Sequence, residues 1–79
     1  MFQYRADLSC VQRLSRAKSC VGVKIVKIYP MLFLDKGDII MSINNIPCFT
    51  EKIAFTIIKL CKKNTVPTVC IVLKKKLSR

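Results

Sequence analysis

Leu34-Asp-Lys-Gly-Asp38-Ile-Ile-Met-Ser-Ile-Asn-Asn45 is the stretch of the sequence that says most about the fold. Its first part, Asp35 to Asp38, is a turn signal in which Gly37 supplies an unrestricted backbone angle. The apolar run from Ile39 to Ile43 then predicts a short, largely buried strand. We expect Asp38 to cap nearby backbone N–H groups and to have no catalytic role, because no histidine or second carboxylate is patterned beside it.

The residues that follow predict a second turn and one helix. Asn44-Asn45 tolerates positive φ and can make the turn, with a brief return strand over Ile46 to Cys48. Thr50 is a suitable N-cap, and Glu51 lies in the first turn, where the helix dipole favours an acid. We predict a helix over residues 50–63, because apolar residues recur on one face at Ala54, Ile57, Ile58 and Cys61.

The segment before Leu34 predicts a β-branched strand that runs to Tyr29 and is ended by Pro30. Apolar and lysine positions alternate along it, with Val26 as one inserted residue: Val23, Lys24, Ile25, Lys27 and Ile28. Further upstream the pattern is weaker. It predicts a strand over Asp7 to Leu14 and a polar loop over residues 15–20.

The whole chain predicts one small α+β domain over residues 1–79, with about five short strands and one main amphipathic helix. Val69 to Leu73 predicts the last strand, which leads into a basic tail at residues 75–79. Residues 1–21 form the least patterned part. A chain of this length buries only about 60% of its unfolded surface, so its core must be thin.

The strongly basic composition suggests one class of partner. The chain has 15 Lys+Arg against four Asp+Glu, a formal net charge of +11. Such a charge attracts polyanions such as nucleic acid or acidic lipid. The cations are also scattered between apolar residues, as Lys24 and Lys27 are, which fits the solvated faces of strands and a helix.

Cysteine and histidine usage argues against metal sites, disulfides and catalysis. The five cysteines include no C-x-x-C pair and there is no histidine, so we expect no metal, no cofactor and no disulfide framework. An enzyme is the least expected class, and Cys48 beside Pro47 is the one thiol that could be a nucleophile; its alternative role is an inert packed residue. The sequence shows no signal-peptide run and no apolar run long enough to span a bilayer, which predicts a cytoplasmic protein.

With these elements in order, the sequence resembles the PDZ family over residues 22–74. Leu34 to Asn45 is similar to the family pattern L-x-x-G-D-x-I-x-x-(V/I)-N-(G/N), and Gly22 to Pro30 resembles its third strand. Thr50 to Ala54 stands where the family begins its second helix, and Val69 to Leu73 where its last strand lies. The resemblance implies a PDZ-like, partly open β-barrel or sandwich.

The resemblance also implies a function, which is the binding of a partner peptide as an added strand between the second strand and the main helix. The positions that match this groove are Glu51, Phe55 and Ile58 on the helix. Glu51 stands where many family members have a histidine, and would favour a basic or hydrogen-bond-donating ligand side chain; alternatively it is only a helix-start acid. Phe55 and Ile58 line a pocket for an apolar side chain or belong to the core.

The sequence departs from the family at two places. Only residues 31–33 lie between Pro30 and Leu34, where the family has a short helix. The glycine-rich carboxylate-binding loop is also absent, and the best positional match is Arg5-Ala-Asp-Leu8. Arg5 could attract a carboxylate and Leu8 begins the strand beside it, whereas Asp7 would repel a carboxylate. Binding of an internal segment, or self-association through an exposed strand edge, therefore stands beside binding of a C-terminus.

Three functions follow, in descending order of support. The first is a PDZ-like protein–protein interaction module, such as part of a scaffold, that binds a protein C-terminus or an internal peptide segment. The second is a basic protein that binds nucleic acid or an anionic surface, for which a steep loss of binding with salt would be diagnostic. The third is a shortened, degenerate module without a ligand.

Overall fold

The computed structural model of the protein describes residues 2–30, 34–63 and 68–75. It is a small α+β fold with one helix and a six-stranded sheet in which all described strand pairs are antiparallel. The strands are β1 (Phe2–Asp7), β2 (Val11–Arg16), β3 (Val23–Ile28), β4 (Ile39–Ile43), β5 (Ile46–Pro47) and β6 (Thr68–Lys74). The helix α1 spans Glu51–Lys63, and a 3-10 turn spans Leu8–Cys10.

The sheet order brings the two ends of the sequence together. The strands lie in the order β1-β6-β4-β3-β2, and β5 pairs with β4. β1 pairs with β6 along its whole length, from Phe2 opposite Leu73 to Asp7 opposite Thr68. Among the described strands, β1 and β2 therefore form the two outer edges of the main path, and each has one hydrogen-bonded neighbour.

The prediction for the N-terminal region is wrong in detail. In place of one strand over Asp7 to Leu14, two strands flank the 3-10 turn, and β2 extends to Arg16 into the predicted loop. The chain turns because the Asp7 side chain caps it, with the Ser9 backbone N–H donating to Asp7 Oδ1 at 2.8 Å. β1 forms by pairing with β6. Because β6 is distant in sequence, no local pattern reveals this strand.

The predicted strand with one irregularity is confirmed as β3. Its register pairs Arg13 with Lys27 and Leu14 with Ile25, which leaves Val26 as the extra residue of a bulge. Because of this bulge, the exposed side chains of Lys24 and Lys27 lie on the same face although they are three residues apart. Ile25 on the opposite face is completely buried.

The central stretch folds as its residues predict. Gly37 has a φ of 96° in the first turn, and Asn44 and Asn45 have φ values of 50° and 66° in the second. Asp38 is completely buried and accepts hydrogen bonds from the Asp35 backbone N–H at 3.0 Å and from Lys75 Nζ at 2.8 Å. The predicted capping role of Asp38 is confirmed, and its ion pair with Lys75 holds the end of β6 against this turn.

The helix begins as predicted and packs one face on the core. The Ile53 backbone N–H donates to Thr50 Oγ1 at 3.2 Å, the hydrogen bond of an N-cap. Ala54, Ile57 and Ile58 are buried in the same cluster as the apolar residues of the sheet. The Cys61 side chain, residues 31–33 and the tail from residue 76 lie outside the described parts. Among the described residues, no helix is long and apolar enough to cross a membrane.

Candidate functional site

The candidate site lies between β2 and α1, a region that we call the cleft. The helix packs against β2 and against the 3-10 turn at the start of that strand. At the other end, Arg16 of β2 and Thr50, which precedes α1, line one cavity. The strand and the helix therefore lie side by side and run in opposite directions. The outer edge of β2 has no hydrogen-bonded neighbour among the described strands.

The three helix positions of the predicted groove lie along one stripe of α1 and differ in exposure. Glu51 is exposed at the first position of the helix, and Phe55 is half-buried and packs against the core. Ile58 is only 4% exposed, within the core cluster. Glu51 and Phe55 are accessible to a ligand, whereas Ile58 acts mainly as core.

Arg5 and Leu8 occupy different environments. Arg5 is exposed in the middle of β1, opposite Cys70 of β6. Leu8 is 2% exposed and anchors the 3-10 turn in the core. The Leu8 side chain is therefore closed to a ligand, whereas Ser9 is exposed and its backbone N–H already donates to the Asp7 carboxylate. The chain thus presents its own carboxylate at the closed end of the cleft.

A cavity of about 520 Å³ lies at the opposite end of the cleft. It is formed by the loop between β2 and β3 together with the residues just before α1, and its walls include Arg16, Lys18, Cys20, Val21, Phe49 and Thr50. The sequence reasoning missed this site because its two walls come from segments far apart in the chain. One signal was available: Val21 and Phe49 are apolar residues that belong to no strand or helix periodicity.

A row of cations crosses the outer face of the sheet. Residues paired across antiparallel strands lie on one face, so Arg13 lies beside Lys27, and Lys24 and Lys74 flank Ile39 in the next row. All four basic side chains are exposed. Within the described part of the chain they form no ion pair. Like charges placed directly opposite each other destabilise a sheet. The basic side chains of this row therefore repel one another unless an anion binds between them.

The thiol singled out as a possible nucleophile is completely buried. Burial raises the pKa of Cys48 to about 11, so the thiol is protonated at neutral pH. The reactive thiolate that nucleophilic catalysis requires is therefore scarce. Within residues 2–30, 34–63 and 68–75, no cluster of histidine, cysteine, aspartate and glutamate side chains is placed to hold a metal ion.

No family model, curated protein or solved structure matches this chain.

Proposed function

We propose that the protein is a PDZ-like protein–protein interaction module that binds an extended segment of a partner as an added strand between β2 and α1. The observation that carries this proposal is the outer edge of β2, which has no hydrogen-bonded neighbour among the described strands and lies beside an accessible helix stripe. A strand edge supplies backbone N–H and C=O groups for affinity, and helix side chains such as Glu51 and Phe55 supply selectivity. The sequence resemblance, which implies a groove between the second strand and the main helix, also supports this proposal.

The partner segment is internal rather than a free C-terminus. The end of the cleft that would receive a terminal carboxylate already holds the Asp7 carboxylate, hydrogen-bonded to the Ser9 backbone N–H. A second carboxylate there meets a like charge and finds one donor already in use. A segment that passes through the cleft without ending in it avoids both penalties.

The proposed module has no catalytic activity. The completely buried thiol of Cys48 has a raised pKa, and its Sγ lies 4.0 Å from the Ile46 carbonyl oxygen. No general base is patterned beside it, because the sequence contains no histidine.

The test is selection from two displayed peptide libraries, one with free C-termini and one with the random segment flanked on both sides. Selection at physiological salt should enrich sequences from the library with flanked segments. Their binding should persist at several-fold higher salt. Phe55→Ser should weaken binding about tenfold, because Phe55 is the half-buried apolar contact of the stripe.

Leu60→Ser is the matched control for Phe55→Ser, because Leu60 is 54% exposed and lies on another side of α1. It should leave affinity unchanged, and thermal unfolding of both variants separates lost binding from lost folding. Failure of both libraries to enrich any salt-resistant sequence would overturn the proposal.

A second candidate function, binding of a nucleic acid, is favoured by the cationic row on the outer face. Its support is the close placement of Arg13, Lys24, Lys27 and Lys74 without compensating acids on those strand positions. Each phosphate contact that is lost should lower the salt dependence of binding by about one unit of slope. Lys24→Gln with Lys27→Gln should therefore reduce both affinity for single-stranded oligonucleotides and the salt slope, whereas Lys59→Gln on α1 should change them less.

A further inference from the structure

The cavity at the open end of the cleft has walls of two chemical kinds. Val21 and Phe49 are apolar and remain 47% and 56% exposed. Arg16 and Lys18 are exposed cations on the same cavity. No acidic residue lines it, and the nearest acid along the chain, Glu51, follows Thr50 at the start of the helix. The cavity therefore offers an apolar surface with a positive rim.

From this combination we infer that the cavity binds an acidic residue and an adjacent apolar residue of the same partner segment that adds to β2, an inference that rests on the proposed function. The apolar side chain covers Val21 and Phe49, and the acidic side chain lies between Arg16 and Lys18. A second copy of this chain is a poor occupant, because the protein has only four acids and a net charge of +11.

The direction of the added strand fixes which part of the partner enters the cavity. Every described strand pair in this protein is antiparallel, and antiparallel ladders are slightly more stable per residue than parallel ones. β2 runs from the 3-10 turn towards the cavity, ending at Arg16. An antiparallel partner strand therefore has its N-terminal end at the cavity, so the acidic and apolar residues precede those that face Glu51 and Phe55.

Charge-swapped peptides test this inference. Synthetic peptides, acetylated and amidated at their ends, carry an internal segment selected as above, with Glu-Leu, Gln-Leu, Lys-Leu or Glu-Ser fixed at the N-terminal end. Glu-Leu should bind about fivefold more tightly than Gln-Leu, and Lys-Leu should bind most weakly. Arg16→Glu with Lys18→Glu should reverse this order, whereas the equal charge change Lys24→Glu with Lys27→Glu on the outer sheet face should preserve it. Phe49→Ser should remove the advantage of Glu-Leu over Glu-Ser.

Cys20 provides an independent readout, because it lines the cavity and is half-buried. Bound Glu-Leu peptide should slow alkylation of Cys20, measured residue by residue by mass spectrometry, while Cys70 on β6 keeps its rate. If peptides bind but show no charge preference and do not protect Cys20, the cavity inference is wrong and the proposed function stands. If no peptide binds, both are wrong, and protection of Cys20 that grows with protein concentration alone would assign the cavity to a second copy.

Discussion

The two ends of the cleft between β2 and α1 differ in burial and in charge. At the end near the 3-10 turn, Leu8 is buried and the Asp7 carboxylate already holds a backbone N–H of the turn. At the other end, Val21 and Phe49 leave apolar surface exposed beside Arg16 and Lys18. The first end serves folding, since Leu8 belongs to the core and the Ser9 backbone N–H has its partner within the chain. The second end leaves apolar and charged groups exposed, so under the proposed function we expect selectivity for a partner to be located there.

Truncation of one apolar residue at each end should give the largest difference, and this difference is in the free energy of unfolding. Leu8→Ala should lower the free energy of unfolding by about 2–5 kcal/mol, because it leaves a cavity in the core. Phe49→Ala should lower it by less than about 1 kcal/mol, because that ring is 56% exposed. Urea unfolding of both variants measures this, and equal losses would show that the two ends do not differ as described.

The same difference between buried and exposed positions occurs in two neighbouring residues. Cys48 is completely buried, and Phe49 is exposed. The pKa of Cys48 is raised from 9.0 to about 11, so the folded state holds the thiol proton more tightly than the unfolded state does. Its contribution to stability is complete below pH 9.0 and is lost as the pH rises to about 11, by roughly 2–3 kcal/mol.

Urea unfolding between pH 8 and pH 11 should therefore show a steeper loss of stability in the native protein than in Cys48→Ala. The comparison with Cys48→Ala removes the contributions of the other titrating groups, which both proteins share. Identical pH slopes would contradict the assignment of a raised pKa to this thiol.

The smallest expected effect comes from removing the charge at the closed end. Asp7→Asn keeps an acceptor for the Ser9 backbone N–H, so stability should change by less than about 1 kcal/mol. Affinity for a peptide with a free C-terminal carboxylate should rise about threefold, while affinity for its amidated form stays constant. Asp35→Asn makes the same charge change away from the 3-10 turn and should leave the affinity for the free C-terminal carboxylate unchanged. An unchanged preference in Asp7→Asn would mean that Asp7 does not exclude carboxylates.

The sequence predicted most of the central region because its signals are local. Gly37 and the pair Asn44-Asn45 define their own turns, and Thr50 caps the helix that follows it. The irregularity at Val26 was also visible, because one extra residue interrupts the alternation of buried and exposed positions. Each of these features depends on residues close together in the chain.

The remaining features depend on distant pairs and escaped prediction. β1 forms by pairing Phe2 to Asp7 with β6, so the weak pattern of residues 1–21 could not reveal it. The open-end cavity is likewise built from two separate segments. Glu51 and Phe55 were located correctly on the helix by its periodicity, but their role in binding stays a prediction.

Amide hydrogen exchange of the native protein, with and without a selected internal peptide, tests the central claim most directly. Strand addition beside α1 predicts new protection in β2, at residues 11–16, with no change in β1, the other outer edge of the sheet. Peptide binding that leaves β2 amides unprotected, or that protects β1 instead, would contradict the account.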